Sequence, residues 1–280
     1  MSAGSLQAPP PLRRPRRRRR RVSVVGVIGE LLITAGVLVL FFLAWQLWIS
    51  EFLMGGELTA EASQQSEEWN ASAAPTDPPS DDPTDEPSDD PSDEPEPDPD
   101  SVAFNPPVTA APSDQERFAA LIVPRWGTDY YRQIAEGIST TGVLDRGLLG
   151  HYPTTQLPGQ EGNFAIAAHR MGHGGLLHHI HELQLGDHIY VETAEGWYEY
   201  SFRNLEYVHP SGVGVIDPVP QDPAAAPSDR YITLTSCNPM YTSNERIIAY
   251  GIFDRFYPRD TSAPANGAPD EIAATVNGEA

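Results

Sequence analysis

The chain contains no lysine: all eighteen of its basic residues are arginine. This excludes Schiff-base chemistry and a lysine-dependent phosphate loop, and leaves the guanidinium as the only strong cation. It has a single cysteine, Cys237, so no intramolecular disulfide can form, and the thiol is left for packing, intermolecular pairing or nucleophilic chemistry. No basic residue occurs between 50 and 112, and between 77 and 100 every residue is acidic, proline, serine or threonine. Neither CxxC nor HExxH is present, so the usual cysteine and helix-borne zinc signatures are missing. The formal charge of −21 is carried largely by the acidic stretch. No basic patch in the remainder points to nucleic acid.

What is present falls into five segments. Residues 1–21 end in a run of arginines and form a basic cytoplasmic N-terminus. Residues 22–49 are almost wholly apolar apart from Glu30 and Gln46, long enough for one transmembrane helix and too long for the core of a cleaved signal peptide. By the positive-inside rule the arginines stay in the cytoplasm, Trp45 and Trp48 sit at the far interface, and the rest faces outward. The expected localisation is the plasma membrane, single-pass, with an extracellular domain. Residues 50–112 read as an acidic, proline-rich disordered linker, which includes four Ser/Thr-acid-acid-Pro tetrads from Ser80 to Pro95. Residues 113–259 hold all eight histidines and most of the strand-like pattern, and form the folded domain. Residues 260–280 read as a disordered tail.

Within 113–259 the pattern is all-β with short helices. Strands are expected at Gln115–Ile122, Asn163–His169, His188–Thr193, Trp197–Val208, Ile232–Asn238 and Arg246–Phe253, spaced by turns as in a barrel or sandwich. Tyr130–Gly137 is the best short-helix candidate, Gly174–Gln184 a second, and Val213–Ser228 a long loop. Asn238-Pro239 stops the cysteine strand and leaves the thiol at its end; an antiparallel return would bring Arg246 beside it. His169 ends its own strand. A free thiol near pKa 8.5 is mostly protonated at neutral pH, so an imidazole or cation beside it raises the thiolate fraction. The same imidazole can protonate a leaving amine, and a guanidinium can stabilise the oxyanion. Cys237, His169 and Arg246 are therefore the candidate catalytic set, with Thr235, Ser236, Asn238 and Tyr152 as candidate substrate-binding residues. His169, His173, His178, His179 and His181 lie within thirteen positions, but Gly172, Gly174 and Gly175 break any helix that would align the first pair, so no metal and no cofactor is expected.

Residues from about Ala120 to Phe253 resemble the sortases, the cysteine transpeptidases of Gram-positive cell surfaces, and class E most. The resemblance is carried by Ile122-Val-Pro-Arg-Trp-Gly127, Gly150-His-Tyr-Pro153, Pro158-Gly-Gln-Glu-Gly-Asn163, Ala168-His-Arg170, Leu185-Gly-Asp187 and Leu234-Thr-Ser-Cys-Asn-Pro239 with Arg246. Two positions depart from it: Ala168 where a glycine often precedes the histidine, and Asn238 where class E commonly has histidine. The resemblance implies an eight-stranded closed β-barrel and catalytic roles for Cys237, His169 and Arg246. It implies a secreted protein with a C-terminal LPXTG- or LAXTG-type sorting signal as substrate, cut between Thr and Gly. The acyl group passes through a Cys237 thioester to a peptidoglycan-precursor amine. The arginine-only, alanine- and proline-rich composition suits an actinobacterial source. The alternative is a catalytically silent sortase-fold module that binds envelope components.

Overall fold

The structure, a computed structural model, describes residues 23–45, 50–73 and 103–279. The arginine run, Trp48 and the acidic tetrads lie outside the described residues. The chain divides into two units, residues 1–47 and 48–280.

In the first unit, Val24–Ala44 forms helix α1. Its 21 residues rise about 31 Å at roughly 1.5 Å each, close to the thickness of a bilayer's hydrocarbon core. A 20-residue window has mean hydropathy 2.5, and Val25, Leu32, Leu38 and Phe41 are all exposed. A helix apolar around its whole circumference has no face reserved for a protein core. Among the described residues it is the one helix long and apolar enough to cross a membrane.

In the second unit eight strands close into a barrel. They are β1 Arg117–Ile122, β2 Tyr131–Glu136, β3 Leu149–His151, β4 Gly162–Ala167, β5 His188–Glu192, β6 Gly196–Val208, β7 Arg230–Asn238 and β8 Glu245–Pro258. The order around the barrel is β1-β2-β3-β4-β7-β8-β6-β5. Closure leaves no unpaired edge. The β2/β3 and β4/β7 pairs are parallel, and the remaining pairs are antiparallel. Alternate residues fill the lumen: Phe164, Ile166 and Ala168 from β4 and its end, Ile232 and Leu234 from β7, and Ile247 and Ala249 from β8 share one buried cluster.

Tyr131–Glu136, which reads as a helix in sequence, is strand β2. It is buried on both faces, so the alternation that marks a half-exposed strand is missing. The expected helix at Gly174–Gln184 reduces to a 3-10 turn at His178–Glu182. The linker expected from residue 50 begins instead with helix α2, Ser50–Ser72, whose Leu58, Ala62 and Ser66 repeat every four residues on one buried face. That stripe is narrow, and the acidic and polar residues around it gave the segment the composition of a spacer. Residues 103–112 also pack: Ala103 and Thr109 are buried, and the Pro107 carbonyl accepts from the Tyr198 hydroxyl at 2.8 Å.

The tail after Arg259 is likewise ordered. Ile272 is fully buried with Ala62, Tyr131, Tyr190 and Trp197, and a short helix α3, Ala273–Val276, follows it. Helix α2 and this tail together cover the outer face of β1, β2, β5 and β6. At the centre of the covered face Arg259 donates to Glu192 at 2.7 Å, while the Ser66 hydroxyl donates to the same carboxylate at 2.6 Å. The Tyr131 hydroxyl bonds the other Glu192 oxygen, and the Arg259 guanidinium lies over Trp197.

Candidate active site

The parallel pairing of β4 with β7 determines the site. Its register runs from Gly162↔Arg230 to Ala167↔Thr235. Continued by two residues, it sets His169 level with Cys237. The Ala168 amide donates to the Thr235 carbonyl at 3.2 Å and the Ser236 hydroxyl to the Ala168 carbonyl at 2.8 Å, so the two chains stay together past the last paired residues. On the other side of β7, Cys237 pairs directly with Arg246 of the antiparallel β8. Neighbouring strands lie about 4.8 Å apart. One strand end therefore carries the thiol, with the imidazole and the guanidinium on the ends of its two neighbours.

Side-chain alternation aims all three outward. Because Ile232, Leu234, Ile247, Ala249, Phe164 and Ala168 point into the lumen, Cys237, Arg246 and His169 have the opposite parity and face out. Their side of the barrel is lined by small polar groups. The Thr233 hydroxyl donates to Asn163 at 2.7 Å, and the Thr235 hydroxyl lies 3.0 Å from the Tyr152 hydroxyl. Asn163 also donates to the carbonyls of Val215 and Asp217, holding the long 213–228 segment over this face. Val215 packs there on Ile248 and Tyr250.

Two hollows flank the strand ends. One, of about 280 Å³, is lined by His169, Arg170, Met171, Cys237, Pro239, Tyr241, Thr242 and Ser243. The other, about 90 Å³, lies under the 208–216 segment and is lined by Tyr152, Thr235, Arg246 and Ile248 among others. Cys237 opens into the first and its strand partner Arg246 into the second. Cys237 is partly exposed and free.

Of the candidate substrate-binding residues, Tyr152 and Thr235 line the smaller hollow. Ser236 is buried, with lumen parity, and its hydroxyl is taken by the Ala168 carbonyl. Asn238 is held from both sides, accepting from Arg170 and donating to Glu245 at 2.9 Å. Arg246 donates to the carbonyls of Ser243 and Glu245, each at 2.9 Å, and these bonds steady its guanidinium at the strand start.

Two groups escape the sequence reading. Asp145, on a 3-10 turn at Leu144–Arg146, places Oδ1 2.8 Å from His169 Nε2. Nothing in its spacing announces this, since the contact crosses 24 residues of loop and strand. Arg170 lies in the larger hollow, within 3.5 Å of the Cys237 carbonyl, and burial lowers its pKa. Its position directly after His169 was the available signal.

A sequence model of the sortase domain matches residues 121–253. Sortase E1 of Streptomyces coelicolor is 34% identical over 93% of this chain, and the chain spans 64% of that relative's length. Sortase E2 of the same organism is 28% identical over 85% of each chain. Among solved structures, a sortase from Actinomyces oris superposes with TM-score 0.55 at 38% identity, covering 60% of this chain and 93% of that one. The crystal structure of sortase E1 from Streptomyces coelicolor, with a tripeptide in its active site, gives 0.51 at 38% identity, covering 58% and 99%.

Proposed function

From the premise that this chain belongs to the sortase family, whose members are cysteine transpeptidases, and is class E-like within it, we propose that it is a membrane-anchored sorting enzyme. Its substrates are secreted proteins with a C-terminal LPXTG- or LAXTG-type signal. It cuts between Thr and Gly and passes the acyl group to the amine of a peptidoglycan precursor. The anchor is α1, with the N-terminus in the cytoplasm and the barrel outside.

The observation that carries this reading is the convergence of Cys237, His169 and Arg246 on one outward-facing rim, by two different strand pairings. In the proposed cycle the Cys237 thiolate attacks the threonine carbonyl carbon. The carbonyl oxygen takes up the negative charge and is stabilised by the Arg246 guanidinium. As the C–N bond breaks, protonated His169 gives its proton to the departing glycine amine. A thioester remains. The acceptor amine then attacks the thioester, losing its proton to His169, and the C–S bond breaks to restore the thiolate. The acyl group is conserved throughout, and no redox partner is needed. A substrate still held in the membrane after export is within reach of an enzyme fixed to the same surface.

The test is to incubate the full chain in detergent with fluorogenic peptides bearing each signal, and to record intact mass. The expected result is cleavage after threonine and a mass gain equal to the acyl fragment on Cys237. Absence of any adduct with every peptide, on folded protein, rejects the reading.

A further inference from the structure

Beside the thiol, the loop after β4 and the 3-10 turn at Leu144–Arg146 bring together three donors, of which the acyl-transfer cycle uses only His169. His169 Nε2 lies 2.8 Å from Asp145 Oδ1, and His173 Nε2 lies 3.6 Å from the same oxygen. All three ligand atoms fall within 4.8 Å of one another. No helix aligns the two imidazoles. Gly172, His173, Gly174 and Gly175 all take positive φ, and the resulting reversal brings the rings to 5.0 Å between centroids. The glycines that rule out a helix are what permit this approach.

The orientation of the His173 ring supports a cation site. Its Nδ1 lies 2.9 Å from the backbone carbonyl of Asp145, which can only accept, so Nδ1 carries the hydrogen. Nε2 then faces the Asp145 carboxylate, 3.6 Å away. A ring nitrogen donating to a backbone carbonyl while the other faces a ligand atom is also the outer-shell arrangement of a metal-binding histidine. The spacing suits zinc: with bonds of about 2.0–2.1 Å in a tetrahedron, donor atoms sit about 3.3 Å apart. The 3.6 Å separation is close to that value, and the 2.8 Å contact, a direct hydrogen bond in the ion-free site, opens by about 0.5 Å when an ion enters. Two imidazoles and a carboxylate make a borderline donor set appropriate to zinc, with a fourth position left for water. All three side chains are partly exposed, so an ion can enter from solvent.

We propose that Asp145, His169 and His173 form a reversible site for a divalent transition ion, zinc foremost, and that occupancy inhibits the enzyme. An imidazole whose Nε2 is bound to a metal cannot become the doubly protonated ring that the proposed cycle uses to protonate the departing amine. Only the inhibition rests on the catalytic assignment of His169; the binding site stands without it.

Zinc binding to the full chain in detergent, measured by calorimetry with no peptide present, separates the two. The wild-type chain is expected to bind one zinc ion, and so is Cys237→Ala, because the thiol is not a ligand. His173→Ala, His173→Gln and Asp145→Asn are each expected to bind at least about tenfold more weakly. The two His173 substitutions change a ring that is nearly half exposed, and circular dichroism verifies their fold. If Cys237→Ala loses zinc while His173→Ala keeps it, the ion sits on the thiol and His169, and the proposed site is wrong. No saturable binding to the wild-type chain overturns it as well. Peptide cleavage is then followed against zinc, each protein normalised to its own metal-free rate. Inhibition reversed by EDTA and weakened in His173→Ala is expected, and turnover unaffected at saturating zinc overturns the inhibitory role.

Discussion

The barrel has two outer faces, made by the outward residues of different strands, and they are finished in opposite ways. Over β1, β2, β5 and β6 the face is apolar, with Ala120, Ile122, Tyr131, Tyr190 and Trp197, and is sealed by α2 and the C-terminal tail. Over β4, β7 and β8 it is lined by Asn163, Thr233, Thr235 and Cys237, and among the described residues the 213–228 segment crosses it, leaving hollows on both sides of the strand ends. On the sealed face the buried Glu192 carboxylate is held by Ser66, Tyr131 and Arg259. On the open face the thiol has room for a peptide. The sealed face should therefore govern stability and the open face turnover, and substitutions on each should move one readout and spare the other.

The largest separation is expected from Cys237→Ala. Cleavage and adduct formation should both vanish, because no second thiol exists, while the melting temperature stays within a few degrees of wild type. Residual acylation in this variant would remove the nucleophile from the open face. His169→Ala should follow. In the proposed cycle this one side chain serves both thiolate formation and leaving-group protonation, each worth about 10²–10⁴-fold. Single-turnover rates on amide and thioester substrates would apportion the loss between the two, because a thiolate departs without needing a proton.

On the sealed face Arg259→Met should show the opposite pattern. It leaves the Glu192 carboxylate buried with its ionic partner removed, which costs about 3–5 kcal/mol. For a domain of this size that corresponds to a fall in Tm of roughly 6–20 °C, at about 2–4 °C per kcal/mol. Turnover per folded molecule should be unchanged below the melting transition. A truncation starting at Ser113 tests the same face, since it removes Leu58, Ala62 and Ser66 with α2. It should be less stable than a chain starting at Ser50, and equal stability would mean that α2 is not part of the folded unit. Returning to the open face, Arg246→Lys keeps the charge but loses the directional pair of donors, and should reduce kcat by about 10²-fold with little change in Tm.

How legible each face was in the sequence follows from how it is built. The open face is local: Cys237, His169 and Arg246 each end a strand whose limits show as alternation or a stop signal, and the β7–β8 return gave the Cys–Arg pairing directly. The His–Cys proximity depends on a parallel register between residues 68 positions apart, which alternation does not encode. The sealed face was largely invisible. Strand β2 lost its period because both sides are covered, and α2 shows its buried stripe only once there is a barrel for Leu58, Ala62 and Ser66 to meet. The tail was misread for the same reason: Ile272 is a single anchor among small and polar residues. Asp145 reaches His169 from a loop with no pattern of its own.

The smallest expected effect lies between the two faces and tests whether they are independent. Arg125 donates to Asp187 through Nε at 2.8 Å and Nη2 at 2.5 Å, joining the turn after β1 to the start of β5. The hydrogen bond from Arg125, more than any other contact, holds the Asp187 carboxyl below its ordinary pKa of 3.8. A carboxylate depressed in the folded state contributes stability above its unfolded pKa, and that contribution is lost as pH falls through the lower folded value. Asp187→Asn keeps an acceptor for the Gln184 amide but removes the charge. It should lower Tm slightly at pH 7, and the difference from wild type should shrink steadily below about pH 4. Thermal melts of both proteins from pH 7 to pH 3 would verify the sign. Because Arg125 is exposed, the effect should also weaken in high salt. If instead the difference persists undiminished at pH 3, Asp187 acts through its shape and turn hydrogen bonds. The junction between the faces would then be held by backbone geometry and not by charge.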